Sequence, residues 1–217
     1  MQPLQTHEHS LETRGLTIRW ASLYDIVVGV LTLGRQRAMR EMTVEMAAVQ
    51  PGDKVLDVGC GTGSLTLIAK ARVGTDGEVH GIDAASEMID VARRKAAQAN
   101  VDVDFQAALI ENIPFSDSYF DVVLSSLMLH HLPDDLKHKG FTEINRVLKP
   151  GGCFFAVDFD PPTNPLLRHL ATHLLGHGMM QSNVRDLPVM MQGAGLTKLE
   201  TGKTKYSILA FVRGWKP

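Results

Sequence analysis

A short apolar strand that runs into three alternating glycines and then into a helix constrains this chain more than any other feature. Val55-Leu56-Asp57-Val58 is followed at once by Gly59-Cys60-Gly61-Thr62-Gly63, and Leu65, Leu67, Ile68 and Ala69 open a helical pattern from Ser64. Glycines at alternate positions let the backbone turn sharply and approach a ligand that a Cβ would hold away. The amides at the start of the helix can receive a carboxylate or phosphate. The predicted product is a loop for a nucleotide-type cofactor, with Asp57 where the strand ends.

The spacing separates the possible cofactors. A dinucleotide fingerprint reads G-x-G-x-x-G, whereas here the order is G-x-G-x-G with Ser64 in the sixth place, which disfavours a nicotinamide-dependent oxidoreductase. The next extended run, Glu78 to Asp83, ends in a carboxylate about twenty residues past the loop, where an acid can take ribose hydroxyls. Either feature alone also reads as a surface turn or a capping Asp; the two together argue against that. Strands near Val55, Val79, Val103, Val122 and Phe154 alternate with helices near Leu65, Met88 and Leu136, the pattern of an α/β sheet wound by helices on both faces. Ser86 reads as the cap of the second of these helices, and residues 197–202 and 206–213 as a closing hairpin.

With 217 residues and 44% hydrophobic content the chain suffices for one domain with a substantial core. A net charge of −2, with both signs mixed along the chain, leaves no electrostatic footprint for nucleic acid. Cys60 and Cys153 read as reduced thiols of a cytoplasmic protein rather than a disulfide framework. Residues 1–19 carry no apolar signal core, and the best apolar run, residues 26–33, is too short to span a bilayer, though peripheral membrane contact stays compatible. The expected layout of residues 1–217 is a single domain. An arm and helices occupy 1–50, with Leu23, Ile26, Val27, Val30 and Leu31 in one helix and Met39, Met42, Met46 and Val49 in a second that Pro51-Gly52 ends. A cofactor core follows at 51–160, a helical lid at 161–195 and the hairpin at 196–217.

Three later segments add a resemblance. Ile113-Pro114-Phe115-Ser116-Asp117-Ser118-Tyr119-Phe120-Asp121-Val122-Val123 is followed by His130-His131-Leu132-Pro133-Asp134 and by Glu143-Ile144-Asn145-Arg146-Val147-Leu148-Lys149-Pro150-Gly151-Gly152. With the glycine loop, these ordered blocks resemble the class I S-adenosylmethionine-dependent methyltransferases, and more narrowly the branch of quinone-biosynthesis and related small-molecule enzymes, over about residues 51–158. The resemblance implies a Rossmann-like doubly wound sheet, mostly parallel with an antiparallel closing strand, plus N-terminal helices and a helical lid. It implies S-adenosylmethionine as cofactor. By that likeness Asp57, Gly59, Cys60, Gly61 and Gly63 border the methionine portion, Asp83 binds the ribose, Ala84 and Met88 flank the adenine, and Ala108, Leu109, Ile110 and Ser125 complete the cofactor site. The family often has an acid where Leu109 stands. Adenine recognition then falls to backbone groups around Ala108 to Ile110, and weaker cofactor binding is expected.

In-line placement of two reactants accounts for roughly 7–11 kcal/mol of a barrier, so methyl transfer from an activated donor needs no catalytic triad. His130 and His131 follow the fourth strand, at the carboxyl edge where ligands of such sheets collect. His130 is the candidate base, since a free histidine titrates near about pH 6.5; the alternative is that one of these rings caps a helix or packs structurally. His131, Asp158 and, by resemblance, Tyr24 are candidate acceptor contacts, with turn formation the alternative for Asp158 and Asp160 and packing the alternative for Tyr24. In the lid, Leu167, Leu170, Ala171 and Leu174 form an apolar stripe beside His169, His173 and His177. Gly176 and Gly178 interrupt that histidine row, and no metal is expected. Met179, Met180, Met190 and Met191 suit a deformable apolar pocket or ordinary core filling.

The acceptor is therefore expected to be small and apolar or amphipathic. Quinone C-methyltransferases usually carry a glycine- and Arg-Asn-containing segment after the fourth strand; Ser126-Leu127-Met128-Leu129-His130-His131 stands there instead and counts against a quinone. Arg19-Trp20-Ala21 with Tyr24-Asp25 resembles the bacterial phospholipid N-methyltransferases. A non-catalytic cofactor-binding scaffold is the alternative of another class, opposed by the intact loop and Asp83.

Overall fold

The computed structural model describes residues 34–160, 164, 184–206 and 208–217. The first predicted helix with Tyr24, and Leu167 through Met180 of the predicted lid, lie outside them. The described elements run α1 (Gln36–Met46), β1 (Lys54–Val58), α2 (Ser64–Val73), β2 (Glu78–Asp83), α3 (Ser86–Ala99), β3 (Asp104–Ala107), β4 (Phe120–Ser126), α4 (Asp134–Val147), β5 (Leu148–Phe159), α5 (Leu187–Gly193), β6 (Thr197–Lys203) and β7 (Leu209–Trp215).

The seven strands form one sheet in the order β3-β2-β1-β4-β5-β7-β6. β1 to β5 pair in parallel, and β7 enters antiparallel between β5 and β6. The strand order reverses between β1 and β4, the place where open α/β sheets bind ligands at their carboxyl ends. Central strands are apolar on both faces, as a doubly covered sheet demands. Val55, Leu124, Phe155 and Val157 pack under α1 and α2, while Leu56, Val123, Phe154 and Ala156 pack under α4 and α5. α3 lays Ile89, Ala92 and Ala96 against Phe105 of β3. Among the described residues no helix is long and apolar enough to cross a membrane.

Two local expectations shift. The helix carrying Met39, Met42 and Met46 ends at Met46, before Val49, because Ala48 takes a left-handed φ of 56°; Val49 is still fully buried. Ser86 does not cap α3: Ala85 holds the cap position without a side-chain bond, its N–H donates to Asp83 Oδ1 at 2.9 Å, and the Ser86 hydroxyl lies against Glu87.

Candidate active site

The sheet brings the predicted residues to one edge. Asp57, Asp83 and Ser125 stand at or near the carboxyl ends of β1, β2 and β4, Ala108 to Ile110 leave β3, and His130 and His131 form a short 3₁₀ turn after β4. Asp158 is the penultimate residue of β5.

The glycine loop is tied down by its own backbone. Gly59 and Cys60 both donate to the Ile82 carbonyl, at 2.8 and 3.0 Å, and Gly61 donates to Asp83 Oδ2 at 2.9 Å. These amides are already used, so the loop offers a ligand its shape rather than those donors. The three glycines differ in that shape. A Cβ on Gly59 would lie 2.2 Å from Met128 Cγ, and one on Gly63 2.7 Å from Phe105 Cζ, whereas none of the described residues lies within 4 Å of one on Gly61. Gly61 is the open floor of the cradle; its neighbours are glycine because protein packs against them. Cys60 is a buried free thiol whose pKa burial pushes well above the ordinary value, so it is an apolar wall and not a nucleophile.

Asp57 is buried and its Oδ2 accepts from the Thr66 hydroxyl at 2.7 Å, while Oδ1 has no hydrogen-bond partner among the described residues. Burial raises its pKa to about 7, against the Thr66 hydrogen bond and the positive charge of Arg40. A buried, half-satisfied carboxyl is a socket for a cationic donor. Asp83 accepts one backbone N–H on each oxygen, from Gly61 and Ala85, which leaves further lone pairs on both. Burial raises its pKa as well. Ala84 is half-buried beside it, and Met88 is packed away with Ala85 beneath the start of α3. Ala108 donates its N–H to the Asp83 carbonyl at 3.0 Å, and Ile110 turns its side chain into the core under Gly140 of α4. Leu109, half-buried, accepts from the Asn112 N–H. Ser125 Oγ is buried without a partner among the described residues.

His130 is buried and its Nδ1 lies 2.7 Å from Asp158 Oδ1, while its backbone N–H donates to Oδ2 at 3.2 Å. The Phe159 N–H also donates to Oδ1, at 2.8 Å. Asp158 is thus spent on its own fold and on His130, which differs from the expectation of an acceptor contact or a plain turn residue. His131 lies against His130 with ring centroids 3.9 Å apart and the ring planes tilted by 43°; desolvation first, then the charge of His130, holds its pKa down at about 4, so it is neutral at physiological pH. Asp160 pairs with Arg185 at 3.2 Å. Leu127 and Phe159, at the ends of β4 and β5, and Tyr206, in the hairpin turn at the same edge, are partly buried apolar neighbours of the α1–α2 face. Met191 is fully buried core and Met190 half-buried beside it, so these two methionines fill space. Sequence reasoning missed Thr66 and Arg40 as partners of Asp57, and the pairing of Asp158 with His130, because none of these lies in a motif with its partner.

Known proteins share both sequence and fold. Residues 55–152 match the family described as a methyltransferase domain. The ubiquinone/menaquinone biosynthesis C-methyltransferase of Ectopseudomonas mendocina is 32% identical over 221 residues, covering 91% of this chain and 86% of that protein. Its counterpart in Azotobacter vinelandii is 31% identical over 225 residues, covering 91% and 87%. Among solved structures, an S-adenosylmethionine-dependent methyltransferase from Aquifex aeolicus superposes with a TM-score of 0.65 at 20% identity, over 81% of this chain and 88% of that one. A Pyrococcus horikoshii protein does so at 0.67 and 22% identity, over 83% and 91%.

Proposed function

From the premise that this chain belongs to the class I S-adenosylmethionine-dependent methyltransferases, in the family of the ubiquinone/menaquinone biosynthesis C-methyltransferases, we propose that it methylates a small apolar or amphipathic ring compound of the quinone-precursor kind. The chain is an enzyme, and S-adenosylmethionine is its methyl donor. The observation that carries the assignment of the cofactor to this edge is the buried Asp57 Oδ1, without a hydrogen-bond partner among the described residues, on the strand that leads into the loop where Gly61 has open space at its Cβ.

Bound S-adenosylmethionine supplies a methyl group already activated on a sulfonium. Asp57 would hold its amino group, and Gly59, Cys60, Gly61 and Gly63 would shape the loop around the methionine portion. Asp83 would accept the ribose hydroxyls with the lone pairs that Gly61 and Ala85 leave free. The backbone from Ala108 to Ile110, with Ala84 above and Met88 behind, would receive the adenine, and Ser125 would face the cofactor from β4. His130 is the candidate base, and His131 and Tyr24 the candidate acceptor contacts. The partly buried Leu127, Phe159 and Tyr206 support an apolar acceptor. The protein works in the cytoplasm, with peripheral membrane contact where its acceptor is lipid-borne.

Calorimetric titration with S-adenosylhomocysteine, with NADH as control, tests the cofactor half. Saturable binding of the first alone supports it; binding of neither sinks it and moves the scaffold reading ahead, and binding of NADH instead sinks it in favour of a nicotinamide-dependent oxidoreductase. Tritiated methyl transfer into a quinone-precursor fraction rather than a phospholipid fraction tests the acceptor half.

A further inference from the structure

His130 has one nitrogen spoken for and one not. Asp158 is fixed by three donors, His130 Nδ1 at 2.7 Å, the His130 amide at 3.2 Å and the Phe159 amide at 2.8 Å. An ionised carboxylate only accepts, so the imidazole must bring its proton on Nδ1, and in the neutral ring the lone pair then sits on Nε2. Nε2 is buried and has no hydrogen-bond partner among the described residues. A ring kept only for packing gains nothing from an orphaned nitrogen, which costs about 1–3 kcal/mol when left unpaired in a core. A bound hydroxyl would supply the missing donor.

The surroundings select what kind of hydroxyl. Among the described residues the titratable groups against His130 are Asp158 on β5 and His131 in its own turn, and Phe159 covers another side with ring centroids 5.0 Å apart. His131 remains neutral and does not compete for the proton. The carboxylates at this end of β5 are paired, Asp158 with His130 and Asp160 with Arg185, so among the described residues of this strand end no free anion recruits a cationic amine.

We propose that His130 and Asp158 form a proton-accepting pair, His130 Nε2 taking the hydroxyl proton of a neutral hydroxyaromatic acceptor while Asp158 acts as the positioning residue that keeps the proton on Nδ1. This rests on the methyl-transfer reading above. The acceptor O–H proton goes to Nε2, and the electron pair it leaves forms the new bond to the methyl carbon. The methyl–sulfur pair stays on sulfur, and the imidazolium afterwards gives its proton to water. Where the bond forms at a ring carbon conjugated to that oxygen, the ring proton is the one lost to water, and the hydroxyl regains its own from His130.

The test uses the full chain. Long-range proton–nitrogen NMR of the ¹⁵N-labelled protein reads the His130 tautomer with no acceptor present. Protonated Nδ1 and bare Nε2 are expected; protonated Nε2 overturns the proposal. With tritiated S-adenosylmethionine, 2-naphthol and anaerobic 1,4-naphthohydroquinone serve as hydroxyaromatic probes, and phosphatidylethanolamine vesicles as the amine probe. Asp158→Asn should move the proton to Nε2 and lower kcat on the naphthols roughly 10²-fold or more, the range of general-base contributions. KM and S-adenosylhomocysteine affinity should be unchanged. His130→Gln should lose as much kcat. Retention of kcat in either variant, or labelling of the amine probe alone, overturns the proposal. Failure of the wild-type protein to bind S-adenosylhomocysteine would instead strike the methyl-transfer reading.

Discussion

Placing alanine at each of two loop glycines should separate packing from ligand binding. Gly63 has φ +76°, and an added Cβ would lie 2.7 Å from Phe105 Cζ and 2.9 Å from Ala92 Cβ. Neither neighbour can yield, since Phe105 is 1% exposed and Ala92 0%, each seated between α3 and β3. Left-handed backbone costs alanine about 1–2 kcal/mol, and overfilling a close-packed core adds about 1–3 kcal/mol. Gly63→Ala should therefore lose roughly 3–4 kcal/mol, which for a domain of this size lowers Tm by roughly 6–16 °C at about 2–4 °C per kcal/mol. Gly61 has φ +53° but open space at its Cβ. Gly61→Ala should lose only about 1–2 kcal/mol from its backbone and about 2–8 °C in Tm. Its methyl group enters the proposed cofactor cradle, so its S-adenosylhomocysteine Kd should rise about tenfold or more, equivalent to about 1.4 kcal/mol. Scanning calorimetry and isothermal titration of the two variants read both quantities. Equal Tm losses, or a Gly61→Ala protein that binds as tightly as wild type, would refute the division of labour among these glycines.

Three further outcomes follow from the charges. Asp57 has a folded pKa of about 7, above the usual value near about 4, so between those values the folded chain holds a proton that the unfolded chain has released. Ligand-free stability should therefore fall as pH rises from about 4 to about 7, by up to about 1.4 kcal/mol per unit, and Asp57→Asn should flatten that slope in urea titrations. Because a cationic ligand group favours ionised Asp57, S-adenosylhomocysteine binding near about pH 6.5 should release protons. Calorimetry in buffers of different ionisation enthalpy reads that release, which Asp57→Asn should abolish. Glu78, held at a pKa of about 2 by the Tyr119 hydroxyl and then Lys54, adds stability that is present above its unfolded pKa and disappears as pH falls towards about 2; being exposed, Glu78→Gln should shift unfolding at neutral pH by no more than about 1 kcal/mol. Leu109→Asp should tighten S-adenosylhomocysteine binding while leaving the affinity for an analogue lacking the adenine amino group unimproved; a wild-type Kd in the low-micromolar range would remove the premise that Leu109 weakens binding.

Much of the cofactor half was legible because its parts are close in sequence or written in ordered motifs. Asp57, the glycines and Asp83 sit at strand ends that apolar runs announce, and the β1–β2 register then sets Asp57 opposite Gly81 and brings Asp83 to Gly61. What sequence could not supply was the state of those groups. The raised pKa of Asp57 depends on the depth of its burial and on Arg40 from α1, and the difference between Gly61 and Gly63 depends on Phe105 and Ala92, far along the chain. The pairing of His130 with Asp158 was hidden for the same reason: 28 residues separate them, and only the parallel β4–β5 register, Ser126 against Val157, carries both to one place. The cap assigned to Ser86 failed because the helix starts one residue earlier than the pattern suggests: Ala85 holds the cap position and Ser86 is already the first helical residue.

The segment from the end of β4 onward, Ser126 to His131, is where this chain departs from the glycine- and Arg-Asn-containing pattern that the family resemblance implies. Identity of 32% over 91% of the chain leaves about two thirds of the aligned positions different, and proton removal from an acceptor needs only a few groups at the ends of β4 and β5. His130 occupies that stretch, and Asp158 anchors it from a strand that any member of the fold must have. A change of proton acceptor therefore demands little of the rest of the sheet. Leu127, held at φ +56° directly after β4, marks where the chain bends to deliver the turn that carries His130; for a non-glycine residue that conformation costs about 1 kcal/mol or more. Leu127→Gly should accordingly leave Tm nearly unchanged, as relief of the backbone offsets lost packing, yet lower kcat by freeing the turn. A variant with full kcat would show that the bend serves the fold alone and that His130 is held in place by Asp158 without it.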